Sequence, residues 1–266
     1  MFSPQQIDAK KAYLTMLLTL DDISASADTM KSVTNDSDTL LDYFRSFRFL
    51  VITLTNLSDN LNSIERALKN LNFQSTKISG LRKSLDFVKH MRNKGVGHLD
   101  GQLLEKSIQW QPFMFSLEMK GNIVPSSIFA NIAILELAIN SYVKDTGEHK
   151  ALSSVIDFVD PADFSQISDY MLNVSQECID YMAPRLVFLE EQIKYYAKSE
   201  TLYATSVAGS TDFNLKVPVD YSYDKSATLK KINDTFDRCL DLIECDEEKA
   251  KMKTFFETSI AEMHSK

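Results

Sequence analysis

Residues 39–70 read TLLDYFRSFRFLVITLTNLSDNLNSIERALKN, a stretch with neither glycine nor proline. Within it Leu40, Leu41, Phe44, Phe47, Leu50, Val51, Leu54, Leu57, Leu61, Ile64 and Leu68 recur mostly three or four residues apart. That spacing lines one face of an α-helix and persists for about eight turns. A helix this long buries its apolar stripe only if other helices are laid against it, so it is expected to be the central pillar of an all-α antiparallel helical bundle. Asn70, Asn72 and Ser75 supply the polar break that ends it.

On either side the same period returns. Leu14, Leu17, Leu18 and Ile23 predict a first helix with those residues on its buried face, ending in the polar run 32–37. Ile78, Leu81, Leu85, Val88 and Met91 predict a second core helix over Thr76–Asn93, antiparallel to the pillar. Gly95 and Gly97 loosen the backbone at its end, and Asp100 is placed to cap a short helix through Lys106. Phe113, Phe115, Leu117 and Met119 alternate with polar residues, a period of two that allows a short extended or β segment near 113–119.

Farther along, Ser126–Val143 reads as a core helix, too polar at Ser126, Ser127, Asn131, Glu136 and Asn140 for a membrane span. Asp160, Pro161 and Asp163 form a helix start, and the helix they open is expected to run to Lys198, kinked or split at Pro184. A loop is expected at 199–226, then one helix through Leu229, Ile232, Phe236, Leu240 and Ile243, and a last one from Asp246 toward His264. The domain organisation that follows is a helical domain over 1–144 and a helical C-terminal extension over 145–266 packed on it.

Composition agrees with this class. Among 266 residues 44% are apolar and 25% charged, as in globular chains, while only 7 glycines and 6 prolines argue against turn-rich sandwiches and barrels. The net charge of −8 excludes a general polyanion-binding surface. Cys178, Cys239 and Cys245 have no CxxC spacing and read as buried free thiols in a reducing cytoplasm. Met1–Lys11 lacks the order of a signal peptide, and no membrane association is expected. No GxSxG, Walker or dinucleotide glycine pattern is present.

One stretch departs from this acidic average. From Lys77 to His98 the chain carries Lys77, Arg82, Lys83, Lys89, Arg92 and Lys94 against Asp86 alone, a local +5 beside −13 for the remainder. A phosphate repelled elsewhere would be steered to it. At 100° per residue Arg92 falls within about 40° of Leu81, Leu85 and Val88, on the apolar face. It either snorkels or pairs with an acid on a neighbouring helix, or lines a groove awaiting a phosphate. In an unbroken helix His98 would point roughly 120° away from Arg92, and a turn at the glycines removes that obstacle. The result would be a fixed cation beside a group titrating near neutrality.

The run Met91-Arg92-Asn93-Lys94-Gly95-Val96-Gly97-His98-Leu99-Asp100 resembles the HEPN superfamily of all-α proteins, marked by Arg, a polar residue and a His four to six residues beyond the Arg. Lys94 and Asp100 make it most similar to the abortive-infection branch of bacterial phage defence. The resemblance implies a metal-independent endoribonuclease with a toxin or phage-defence role, acting as a homodimer whose two copies of Arg92 and His98 meet in one cleft. Arg92 and His98 would be catalytic, with Asn93, Lys94 and Lys89 supporting them or binding phosphate. RNA is the implied substrate, no cofactor or metal is implied, and an antitoxin or regulatory protein is the partner class such a role involves. The branch paired with a nucleotidyltransferase antitoxin has a Tyr where this chain has Asp100, so that partner is not predicted. Asp100 is expected to cap the following helix or pair with Lys94.

Two other readings are compatible with the residues. One is a non-catalytic helical protein-interaction module in which Arg92 is structural; the other is a nucleotide sensor using the same cationic cleft. Tyr170, Tyr181, Tyr195 and Tyr196 with Phe164 and Phe188 read as core or interface packing, and His149 as exposed on a loop.

Overall fold

The computed structural model describes residues 3–34, 36–74, 78–97 and 99–196, then 230, 233–234, 236–238, 240–241, 243 and 245–264. The expected loop at 199–226 and Cys239 lie outside the described residues; of the other two thiols Cys178 is buried, as expected, and Cys245 is exposed. Helix α1 spans Pro4–Lys31 and α2 spans Ser37–Asn70. The α2 stripe is buried from Leu41 to Leu68, and Phe47, Leu50, Val51, Leu54, Leu57 and Leu61 are fully inaccessible to solvent. Ser3 caps α1 by accepting the Gln6 N–H. Asp36 caps α2 by accepting the N–H groups of Asp38 and Thr39, at 3.1 and 2.9 Å. These bonds satisfy donors the helix cannot.

Four further helices complete the first unit: α3 (Ser79–Met91), α4 (Gly101–Trp110), α5 (Ile123–Asn140) and α6 (Pro161–Gln192). The pillar α2 packs against α1, α3, α5 and α6, and α4 lies on α5. All the described regular elements are helical, as the sequence period predicts.

The chain forms two compact units, Met1–Ile193 and Lys194–Lys266. The expected division at 144/145 falls inside the first, because α6 packs on α1, α2 and α3. Its anchors are polar as well as apolar. Tyr43 Oη meets Ser168 Oγ at 2.6 Å, the Tyr170 hydroxyl donates to Ser84 O, and buried Arg185 donates to Glu65 at 3.1 Å. The second unit contains α7 (Asp246–His264), with Phe236 stacked on Phe256.

Several local expectations are corrected. The α1 face expected to be buried is largely the exposed one: Leu14, Leu17 and Leu18 are 55%, 44% and 58% exposed. Buried instead are Ala9, Ala12, Met16, Thr19, Ile23, Ser26 and Met30, an alternating spacing of three and four. Small residues on that seam let the α1 backbone approach α2 closely, and only Ile23 belongs to both sets.

No strand forms at 113–119. Pro112–Phe115 is a single 3₁₀ turn, Phe113 packs edge-on against Phe129 of α5, and Phe115 and Leu117 face solvent. Among the described residues no strand offers them a partner.

The Pro161 helix runs unbroken through Pro184 to Gln192, six residues short of Lys198. Pro184 lies on the exposed side, where water can satisfy the carbonyl it deprives of a donor. His149 is half-buried and fully bonded. Its Nδ1 accepts from Ala151 N and Leu152 N, and its Nε2 bonds Ile139 O at 2.9 Å.

Among the described helices only α5 is long and apolar enough to cross a membrane by length and composition. It packs on α2, α3 and α4, and it carries buried Glu136. That carboxylate accepts from Phe158 N at 2.8 Å and Trp110 Nε1 at 3.2 Å. Asn140, one turn on, bonds both backbone groups of Ile156. The connection from α5 to α6 is thereby fastened to the bundle.

Candidate functional site

The α3 helix changes pitch where the cationic island ends. Over Arg92–Val96 it widens, and the Gly97 N–H donates to Arg92 O, five residues back, at 2.8 Å. At 100° per residue Val96 would lie about 80° from Val88; a wider turn, advancing about 85° per residue, returns it to the same line. Val96 is in fact buried with Val88 and Met91. Wide turns of this kind are frequent at functional sites.

Both glycines are needed there. A Cβ at Gly95 would stand 2.9 Å from Ile134 Cγ2 and 3.1 Å from Ala138 Cβ, so only glycine lets the widened turn press onto α5. A Cβ at Gly97 would stand 2.8 Å from Arg92 Nε and 3.0 Å from its Cδ. The arginine side chain is therefore folded forward over Gly97, the residue bonded in the chain to His98. His98 itself lies outside the described residues.

The Arg92 guanidinium donates to Asn93 Oδ1 at 3.1 Å, and it has no ion pair among the described residues. It thus sits at the end of the apolar face, partly exposed, without a neutralising carboxylate. Lys94 pairs with Asp100 at 3.3 Å. Asp100 also caps α4, accepting from Gln102 N at 2.9 Å and Leu103 N at 3.3 Å, so both roles expected of it are filled. Those backbone donors, then Lys94, hold its carboxyl below the usual range.

Lys89 is set apart. It reaches across to α2 and pairs with Asp59 at 2.6 Å, as Arg82 does with Asn62 at 2.8 Å. Two of the island's six cations thus brace the α2–α3 contact, while Arg92 and Lys94 project at the widened end. His90 lies one turn before Lys94, with Nε2 2.9 Å from Ser141 Oγ and its ring against Tyr142. Burial, then the Lys94 charge, lowers its pKa and keeps the ring neutral near pH 7.

Between the widened turn, α4 and the end of α5 lies an open cavity of about 320 Å³, bordered by Lys94, Asp100, Gln102, Lys106, Leu137 and Ser141 among others. Sequence reading did not single out Gln102 or Lys106; their approach to Lys94 is made by the fold, and no linear spacing signals it. Among the described residues there is no cluster of three metal-ligating side chains. No family model matches this chain, nor does any curated protein or solved structure.

Proposed function

We propose that the chain is a metal-independent endoribonuclease of HEPN type, acting in the cytoplasm in a toxin or phage-defence role. The observation that carries the reading is Arg92: a guanidinium without a carboxylate partner among the described residues, folded over Gly97 at a widened helical turn. An arginine at the end of an apolar face is costly unless something anionic meets it, and among the described residues no carboxylate does.

The chemistry needs two proton-transfer groups and positive charge at one phosphate. The ribose 2'-oxygen attacks phosphorus as one His98 takes its proton. The bond from phosphorus to the 5'-oxygen then breaks, and a second His98 protonates that oxygen. The products are a 2',3'-cyclic phosphate and a 5'-hydroxyl. Arg92, with Lys94 beside it, would offset the charge gathered on the phosphoryl oxygens. Each chain has one His98, so a two-fold homodimer supplies both acid and base.

A second copy would be received on apolar side chains of α4 and of the segment that follows it. Leu104, Ile108 and Trp110 on α4, then Phe115, Leu117 and Ile123, are 37–84% exposed. Exposed apolar side chains of this size are what a partner surface would cover.

The test is cleavage of RNA in EDTA by wild type, Arg92→Ala and His98→Ala, with sedimentation to establish oligomeric state. Loss of at least about a hundredfold is expected for each variant, the range for removing a proton-transfer group or a principal oxyanion donor. Unchanged activity in both would remove the assignment. Phe115→Glu with Leu117→Glu is expected to give monomers without activity. A wild type that is monomeric and inactive, yet retains an exposed apolar α4 face, would favour the protein-interaction module.

A further inference from the structure

The cavity beside Lys94 has a chemistry of its own once its committed groups are set aside. Asp100 spends one oxygen on two backbone N–H groups and the other on Lys94. Asn140 gives its amide to Ile156, and Ser141 Oγ is shared between Ala138 O and His90. What is left to face a ligand is the Lys106 ammonium, which has no ion pair among the described residues, the Gln102 amide, and the donors of Lys94 not used by Asp100. Leu103 and Leu137 supply apolar wall. With Asp100 offset by Lys94, the surplus charge is the single positive charge of Lys106.

We infer that this cavity is a nucleotide subsite, taking one phosphate between Lys94 and Lys106 and laying the attached nucleoside against Leu103 and Leu137, within reach of the Gln102 amide. At about 320 Å³ it lies at the small end of ligand pockets and suits one nucleotide. That the nucleotide belongs to an RNA rests on the nuclease reading. Lys94 is two residues from Arg92, so the bound unit would be the neighbour of the scissile linkage, with Lys94 standing between its phosphate and the scissile one that Arg92 meets. Lys106 and Gln102 thereby position RNA without touching the reacting atoms.

The probe is adenosine 3',5'-bisphosphate titrated into the full chain by calorimetry, with inorganic phosphate and unphosphorylated adenosine as separate arms. The bisphosphate is expected to bind more tightly than either arm, and Lys106→Ala to weaken it about fivefold or more, as loss of one charge-assisted contact does. Lys106 is exposed on α4, so this variant should keep the fold, which circular dichroism checks. With RNA as substrate, Lys106→Ala should raise KM while leaving kcat within about twofold, the pattern of lost uniform binding.

Bisphosphate binding no tighter than inorganic phosphate would overturn the subsite. So would an affinity unmoved by both Lys106→Ala and Gln102→Ala. If wild type cleaves no RNA yet binds the bisphosphate through Lys106, the nuclease reading fails and the subsite stands. If RNA is cleaved with a KM indifferent to Lys106, the subsite fails and the nuclease reading stands.

Discussion

Gly95 and Gly97 serve different masters although two places apart. Gly95 is a packing residue: an added methyl meets Ile134 and Ala138 inside the bundle, so Gly95→Ala should overpack the α3–α5 contact and cost about 1–3 kcal/mol. Gly97 is a support for Arg92, and its added methyl meets chiefly the flexible side chain. Gly97→Ala should therefore move the urea midpoint less than Gly95→Ala does, with the Arg92 carbonyl oxygen at 3.1 Å yielding slightly, and depress RNA cleavage, since the guanidinium must swing away. Urea denaturation and a cleavage assay on the two variants separate the roles; equal stability loss in both would show that the turn is merely a packing device. The Arg92–His98 spacing was readable as a linear pattern. Its meaning, a side chain laid forward over a glycine by a five-residue hydrogen bond, was not, because a wheel drawn at constant pitch cannot show a local change of pitch.

Among the elements, α1 carries the clearest lesson. Its large residues attract the eye, yet Ala9, Ala12, Met16 and Thr19 make the seam and Leu14, Leu17 and Leu18 face outward. Ala12→Leu should cost about 1–3 kcal/mol by wedging α1 from α2, whereas Leu18→Gln should lie within about 0.5 kcal/mol of wild type. Thermal or urea unfolding of this pair reads the outcome directly, and a larger loss for Leu18→Gln would reverse the assigned face. Helix existence was legible for α1 through α6 because periodicity is local. The choice between two faces of one helix was not, since it depends on how closely a partner backbone can come. The abandoned strand at 113–119 has the same cause: alternation permits a strand, but an extended segment needs another to bond with, and here Pro112 starts a 3₁₀ turn against α5 instead.

For the whole molecule the informative group is Glu136, a carboxylate 3% exposed and the one charged residue of α5. Burial first, and the nearby Asp157 charge, raise its pKa, while the Phe158 N–H and Trp110 indole pull it back. A raised carboxyl holds its proton in the fold after the unfolded chain has lost it, so the associated stability is complete below the ordinary glutamate pKa and is lost as pH rises through the folded value. Glu136→Gln abolishes that titration. Measured as the difference in urea midpoint from wild type, the variant should gain ground between pH 4 and pH 7; a difference constant across that range would contradict the raised value. Because Glu136 ties together the end of α4, α5 and the connection to α6, this titration reports on the frame of the candidate site as well as on the core.

The all-α class, the glycine-free pillar over 39–70, the caps at Asp100 and Asp160 and the cationic stretch before His98 were determined by the order of residues, since helical period, capping and local charge each act within a few positions. Tertiary structure decided the rest: the small-residue face of α1, the widening at Arg92–Val96, Lys89 braced on Asp59, and a cavity that brings Lys106 to Lys94. Each depends on the shape and charge of a second element at van der Waals or hydrogen-bond range. That neighbour is chosen by packing, and adjacency along the chain does not name it.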